Sequence, residues 1–224
     1  MIKSFLKLNL IAIRSLSRDT VRTYCVCTNT CWSCRKPLVT SNKFFCASCG
    51  SLQKVKNADF FTLLDVPNTF SVNTSILSSN FRQLQTILHP DKFSQKSDKE
   101  KMNSLEWSSL INKAYKTLSI PLERAIYILH KKGISIDEEN TSVDPDFLSD
   151  VMDLNEQVEE AASTTDLEAI AKSLNSDVDH LYTSLHKYFS SNELDKAKST
   201  LVRLKYLLNI DSVIKQKQLK YKLQ

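Results

Sequence analysis

Apolar side chains recur at intervals of three and four residues through most of the chain beyond residue 58, the spacing of one helical face. Ile76, Leu77, Phe81, Leu84 and Leu88 make a first such face, and Leu105, Leu110, Ile111, Ala114, Tyr115 and Leu118 a second. Pro90 lies between them. It cannot continue a helix and disfavours helical geometry at His89, so the first helix is expected to end near Leu88. His89, Pro90 and Asp91 then fall on an exposed connection. The segment from Pro121 to Leu129 reads as a further helix with proline in its first turn. Gly133, behind Lys131 and Lys132, suits its C-terminal end, with His130 as a capping residue.

Residues 137–143 are acidic and polar without an apolar period, which marks residues 134–143 as a linker. Asp144-Pro145 then opens a helix in the preferred way, a capping acid before proline. Phe147, Val151, Leu154 and Val158 share one stripe of that helix. Leu148, Met152, Glu156 and Glu160 are rotated to an adjoining face, and a mixed apolar and acidic second face suggests a partner surface. Two longer periodic segments follow, around residues 165–189 and 192–219. Ile170, Leu174, Val178, Leu181, Leu185 and Phe189 face inward in the first, and Ala197, Leu201, Leu204, Leu208 and Val213 in the second. Short turns between three such helices predict an antiparallel bundle, with Lys215, Lys217, Lys220 and Lys222 as a solvated end.

Composition agrees with an all-α protein: two glycines and five prolines in 224 residues. No apolar run reaches the roughly 18 residues of a membrane span. The net charge of +5 is unevenly placed. Residues 1–57 carry ten Lys/Arg against the single acid Asp19, whereas residues 58–224 are acidic on balance. The helical body therefore offers no basic face for nucleic acid. Residues 1–24, with Lys3, Lys7, Arg14, Arg18 and Arg22 and a shared face of Phe5, Leu8 and Leu16, have the make-up of a mitochondrial presequence. A secretory signal is the rival, but Asn9 interrupts its apolar core and Arg14 follows closely. The expected destination is the mitochondrial matrix.

All six cysteines fall between residues 25 and 49. Cys31, Cys34, Cys46 and Cys49 form two CxxC pairs, which can bring four thiolates to one tetrahedral zinc. Residues 25–56 are thus expected to be a small zinc-binding module with Phe44 and Phe45 as its core, folded by its metal. Disulfides are the alternative, disfavoured in a reducing compartment. Cys25 and Cys27 read as incidental. Arg35 follows the first pair where Gly50 follows the second, so the turn chemistry is uneven.

The helical hairpin around His89-Pro90-Asp91 resembles a J-domain, the module that stimulates ATP hydrolysis by DnaK-type 70-kDa chaperones. Asp59-Phe60-Phe61-Thr62-Leu63-Leu64 matches the family's short first helix. Ile111-Asn112-Lys113-Ala114-Tyr115, with Pro121-Leu122-Glu123-Arg124-Ala125, matches the end of the third helix and its exit. Together with His-Pro-Asp-Lys-Phe, these blocks resemble the HscB branch, the co-chaperones of iron–sulfur cluster transfer. Its animal members have a metal-binding module ahead of the J-domain.

The resemblance implies a J-domain over residues 57–133 and a scaffold-binding three-helix domain over residues 144–224. It implies that Asp91 pairs with an arginine of the chaperone, His89 meets its backbone and Pro90 holds both in register, with Arg82 and Lys92 alongside. It places the iron–sulfur scaffold protein on Leu148, Met152, Asp153, Glu156, Glu160 and Tyr206. Two departures stand out. Arg82 is the only basic residue of the 75–88 helix, positive charge being displaced to Lys92, Lys96, Lys99 and Lys101, and Ser149 stands where an apolar residue is frequent.

No nucleophile pattern or phosphate-cradling glycine loop accompanies His89 and Asp91, so the chain is expected to be no enzyme. The expected role is an adaptor that delivers the scaffold protein to a mitochondrial DnaK-type chaperone and stimulates its ATPase. A general folding co-chaperone with another client is the alternative, and a homodimer is compatible with either. A zinc-dependent nucleic-acid or redox protein with an incidental tripeptide is the third reading.

Overall fold

The computed structural model describes residues 30–38, 44–56, 58–136 and 144–222. The presequence, Cys25, Cys27 and most of the linker lie outside them. The architecture is all-α, with seven α-helices among the described residues. The extended pairings there are two isolated antiparallel bridges in the cysteine module, Thr30 with Pro37 and Phe45 with Leu52.

Helix α1 (Phe60–Leu63) starts where the Asp59 carboxylate accepts the Thr62 N–H. Helix α2 (Thr74–Leu88) starts at Asn73, whose side chain accepts the amides of Ser75 and Ile76. It stops at Leu88, as Pro90 requires. A 3₁₀ turn, Pro90–Phe93, leads to α3 (Asp98–Ser119), capped by Ser97. Helix α4 (Pro121–Lys131) has proline in its first turn, and Gly133 follows it at φ 78°, a left-handed conformation in which glycine meets no Cβ clash. Helices α5 (Pro145–Glu160), α6 (Thr164–Ser190) and α7 (Leu194–Lys222) form the C-terminal bundle. Asp144 caps α5, and Ser163 with Asp166 makes a reciprocal capping box on α6.

Two cores result. Leu77, Leu88, Ile111, Ala114 and Leu118 close α2 onto α3 beneath Phe61 and Leu64. The second core joins the α5 stripe Phe147, Val151, Leu154 and Val158 to Leu174, Val178 and Leu185 of α6 and to Leu201 and Leu204 of α7. Helix α4 serves both, with Ala125 and Leu129 in the bundle core and Ile128 in the other. At this junction Phe70 stacks on Phe189 with centroids 5.0 Å apart, and buried Arg124 donates to the Phe70 carbonyl at 2.9 Å.

Three expected inward positions are exposed, and two expected core residues pack elsewhere. Ile76 is 51% exposed, because Leu77 takes the inward place beside it. Leu105 is 58% exposed; it lies about 160° round the helix from Trp107, which is buried instead. Val213 is 40% exposed, since Ile210 and Ile214 carry the buried stripe there. Phe44 and Phe45 pack onto the α2–α3 core rather than forming one of their own. The basic C-terminus also differs from a solvated end: Lys217 Nζ donates to the carbonyls of Val158 and Glu159 at 2.8 and 2.7 Å.

Candidate functional site

The cysteine module is built from two turns with the same hydrogen bonds. Arg35 N–H donates to Cys31 O and Gly50 N–H to Cys46 O, while Cys31 and Cys46 donate their amides to Lys36 O and Ser51 O. Closing each turn requires a left-handed residue, Gly50 at φ 72° and Arg35 at φ 61°. The second carries a steric cost that glycine avoids. The turns converge four sulfurs: Cys31 and Cys49 are 3.6 Å apart, Cys34 and Cys46 3.7 Å, and all four lie within 4.8 Å of one another. Sulfurs at the corners of a tetrahedron with metal bonds of about 2.3 Å stand about 3.8 Å apart, so these residues fit a metal ion.

Protonation agrees with a cation-seeking set. Hydrogen bonds from the Ser51 hydroxyl and amide pull the Cys49 thiol down to about 6. For Cys34, a lowering hydrogen bond at Lys36 is outweighed by burial and the three neighbouring sulfurs, which push it up to about 11. Burial would raise Cys31, yet the amides of Cys34 and Ser33 hold it below the ordinary thiol value. Full ionisation of four sulfurs this close demands a positive charge among them.

The module is fastened to α3 by contacts that the sequence did not announce. Leu52 is fully buried in the α2–α3 core. Its carbonyl accepts Asn103 Nδ2 at 2.9 Å, its amide donates to the Glu100 carboxylate at 3.3 Å, and Trp107 Nε1 donates to Gln53 O at 2.8 Å. The buried Gln53 amide in turn reaches Cys31 Sγ at 3.4 Å. Lys99 lies 5.0 Å over the Trp32 ring.

At the tripeptide, Phe93 is buried and Ser104 Oγ donates to Leu88 O at 2.8 Å, which pins the turn at both ends. The side chains of His89 and Asp91 are 51% and 88% exposed. His89 Nδ1 accepts the Asp91 amide at 3.3 Å. The same nitrogen lies 3.4 Å from the Asp91 carboxylate, which is exposed to an outside partner. Pro90 is half-buried, and Arg82 and Lys92 are exposed on α2 and in the turn.

On α5, Leu148 is 37% and Met152 71% exposed, one turn apart. Asp153, Glu156 and Glu160 are exposed beside them. Tyr206 of α7 is half-buried, its ring edge-on to Phe147 at 6.1 Å. Arg203, not foreseen here, lies 4.6 Å over the Phe147 ring and 3.9 Å from the Asp144 carboxylate. No spacing in the sequence pairs it with α5. Among the described residues no helix is long and apolar enough to cross a membrane.

Comparison with known proteins agrees with this architecture. A family model described as the HSCB C-terminal oligomerisation domain matches residues 143–215. The human iron–sulfur cluster co-chaperone protein HscB is 35% identical over 84% of this chain and 82% of its own. The Arabidopsis thaliana homologue of that protein is 30% identical over 79% of this chain and 69% of its own. The crystal structure of human HscB superposes with a TM-score of 0.81 at 35% identity, covering 84% of this chain and 98% of the other.

Proposed function

The chain belongs to the HscB family of iron–sulfur cluster co-chaperones, and from that premise we propose that it is a two-ended adaptor of the mitochondrial matrix. One end is the His89-Pro90-Asp91 turn, which docks on a DnaK-type 70-kDa chaperone and stimulates its ATPase. The other is the α5 face, on which Leu148 and Met152 seat the iron–sulfur scaffold protein while Asp153, Glu156, Glu160 and Tyr206 frame the contact. The observation that carries this reading is the exposure of His89 and Asp91 on a turn whose flanks are fixed by buried Phe93 and by the Ser104 hydrogen bond. A turn held in shape before docking loses little freedom when a partner binds. Arg82 and Lys92 add positive charge on either side. The module supplies a structural metal, which the four-thiolate set favours as zinc. Matrix residence rests on the basic, amphipathic residues 1–24.

The test is a single-turnover ATPase assay with the chaperone and scaffold. His89→Gln and Asp91→Ala should abolish stimulation with helix content and scaffold affinity intact. The double change Leu148→Ala, Met152→Ala should keep basal stimulation and lose synergy with the scaffold. Truncated anchors at an interface centre cost roughly 2 kcal/mol or more, about thirtyfold in affinity, while the melting temperature should hardly move. Stimulation unchanged by His89→Gln would refute the chaperone end, and wild-type affinity in the double variant the scaffold end.

A further inference from the structure

The flank of α3 next to the tripeptide carries two exposed apolar side chains that neither core uses, Leu105 at 58% and Met102 at 55%. Helices α2 and α3 run antiparallel, joined by hydrogen bonds from Ser104 Oγ to Leu88 O, Ser108 Oγ to Gln85 and Gln85 to Asn112. At about 100° per residue, Leu105 lies about 100° round α3 from Ser104 and about 60° beyond Ser108, on the side away from the core. On α2, Arg82 lies about 60° beyond Gln85 in the matching sense. Because the helices are antiparallel, both rotations lead to the same side of the pair. Leu105 and Arg82 therefore share one surface. The Ser104 bond to Leu88 puts Leu105 at the level of the end of α2 that leads into His89.

We infer that Leu105, with Met102 at its margin, is an apolar docking surface for the same chaperone that receives the tripeptide; this rests on the chaperone reading above. Continuity selects that occupant, because a partner that pairs with Asp91 and extends along the Arg82 side of the hairpin covers Leu105, which shares that face. Charge points the same way. Arg82 is the only basic residue on α2, so this side of the hairpin adds little coulombic attachment of its own. Burial of apolar surface supplies what charge does not, and it persists at ionic strengths that screen surface pairs. Ile76, 51% exposed, sits on the opposite flank of α2, the side on which Asn80 reaches the Leu64 carbonyl, and serves as the control.

The experiment titrates purified, ATP-loaded mitochondrial 70-kDa chaperone with wild-type protein and with Leu105→Ser, Met102→Ser plus Leu105→Ser, Ile76→Ser and His89→Gln, at low and high salt. Melting curves accompany each titration, and sedimentation of the free protein reports self-association. Leu105→Ser is expected to weaken binding about tenfold at both salt concentrations, the double change more, and Ile76→Ser not at all. Their melting temperatures should match wild type. Wild-type binding by the double variant, with His89→Gln defective, would overturn the docking surface and spare the chaperone reading. Normal binding by His89→Gln would overturn that reading itself. A wild-type dimer dissociated by Leu105→Ser, with chaperone binding unchanged, would assign the patch to a second copy of the chain and overturn the proposal.

Discussion

Asp59 holds two elements with one carboxylate. One oxygen caps α1 through the Thr62 amide at 3.2 Å, and the other takes the Tyr127 hydroxyl at 2.9 Å and the Lys131 ammonium at 2.7 Å, both from α4. Burial alone would raise its pKa, but Lys131, Tyr127 and Thr62 outweigh burial and hold it below the ordinary carboxylate value. The ionised form therefore stabilises the fold. That contribution is complete above the unfolded-state pKa, about 4, and is lost as pH falls through the lower folded value. Asp59→Asn keeps a capping side chain and removes the charge. Urea unfolding should find it less stable by about 1 kcal/mol at pH 7, with a smaller gap at about pH 3, below the unfolded-state value. An equal gap at both pH values would mean that the charge is not the source. In the sequence Asp59 is only the first residue of a helix block, because its partners Tyr127 and Lys131 are about 70 residues away.

Helices α5 and α7 lock at their ends through polar atoms that apolar periodicity does not register. Lys217 closes the carbonyls of Val158 and Glu159, and Tyr221 donates to the Ala161 carbonyl at 2.9 Å. These are the groups that a helix C-terminus leaves without partners. Lys217→Met should lower stability by about 1–2 kcal/mol, whereas Lys222→Met, at an exposed end, should leave the urea midpoint unchanged. Equal effects would return Lys217 to the solvent. The helices themselves were legible because breakers, caps and period agree: Pro90 after α2, Asp144-Pro145 opening α5. What escaped was the side of a long helix that faces inward along its length. Over 29 residues α7 packs against α6, α4 and α5, meeting the start of α5 at Arg203 and Tyr206 and its end at Lys217 and Tyr221. Its buried stripe drifts accordingly from Leu204 to Leu207, Ile210 and Ile214, leaving Val213 outside. Leu105 misled for a related reason. The inward edge of α3 there is occupied by Asn103 and Trp107, which bond the docked module, and by Ser104, which bonds Leu88 of α2.

Across the whole molecule, the cysteine module, the hairpin and the bundle form one chain of contacts. Four sulfurs placed to hold a metal ion join the two turns; those turns seat Leu52 in the hairpin core; and α4 carries that core into the bundle. The four cysteines were readable as a metal site from spacing alone. The dependence of the hairpin on them was not, because it runs through Gln53, Asn103 and Trp107, which form no motif. A module folding around Phe44 and Phe45 alone would leave the hairpin indifferent to metal. With the proposed zinc in place the expectation is different: releasing it should free the turns, strip Trp107 of its Gln53 partner and its edge-on Phe44 at 5.0 Å, and open the Leu52 position to water. Burial of a leucine side chain contributes about 1.5–3 kcal/mol, enough to lower the melting temperature by several degrees. With Trp32 replaced by Phe, Trp107 is the only tryptophan, and its emission should shift to the red as a chelator removes zinc and return on readdition. Cys31→Ser or Cys46→Ser should have the shifted spectrum from the outset. Unshifted Trp107 emission in protein proved metal-free by elemental analysis would mean that the hairpin holds the module in place without help from the metal.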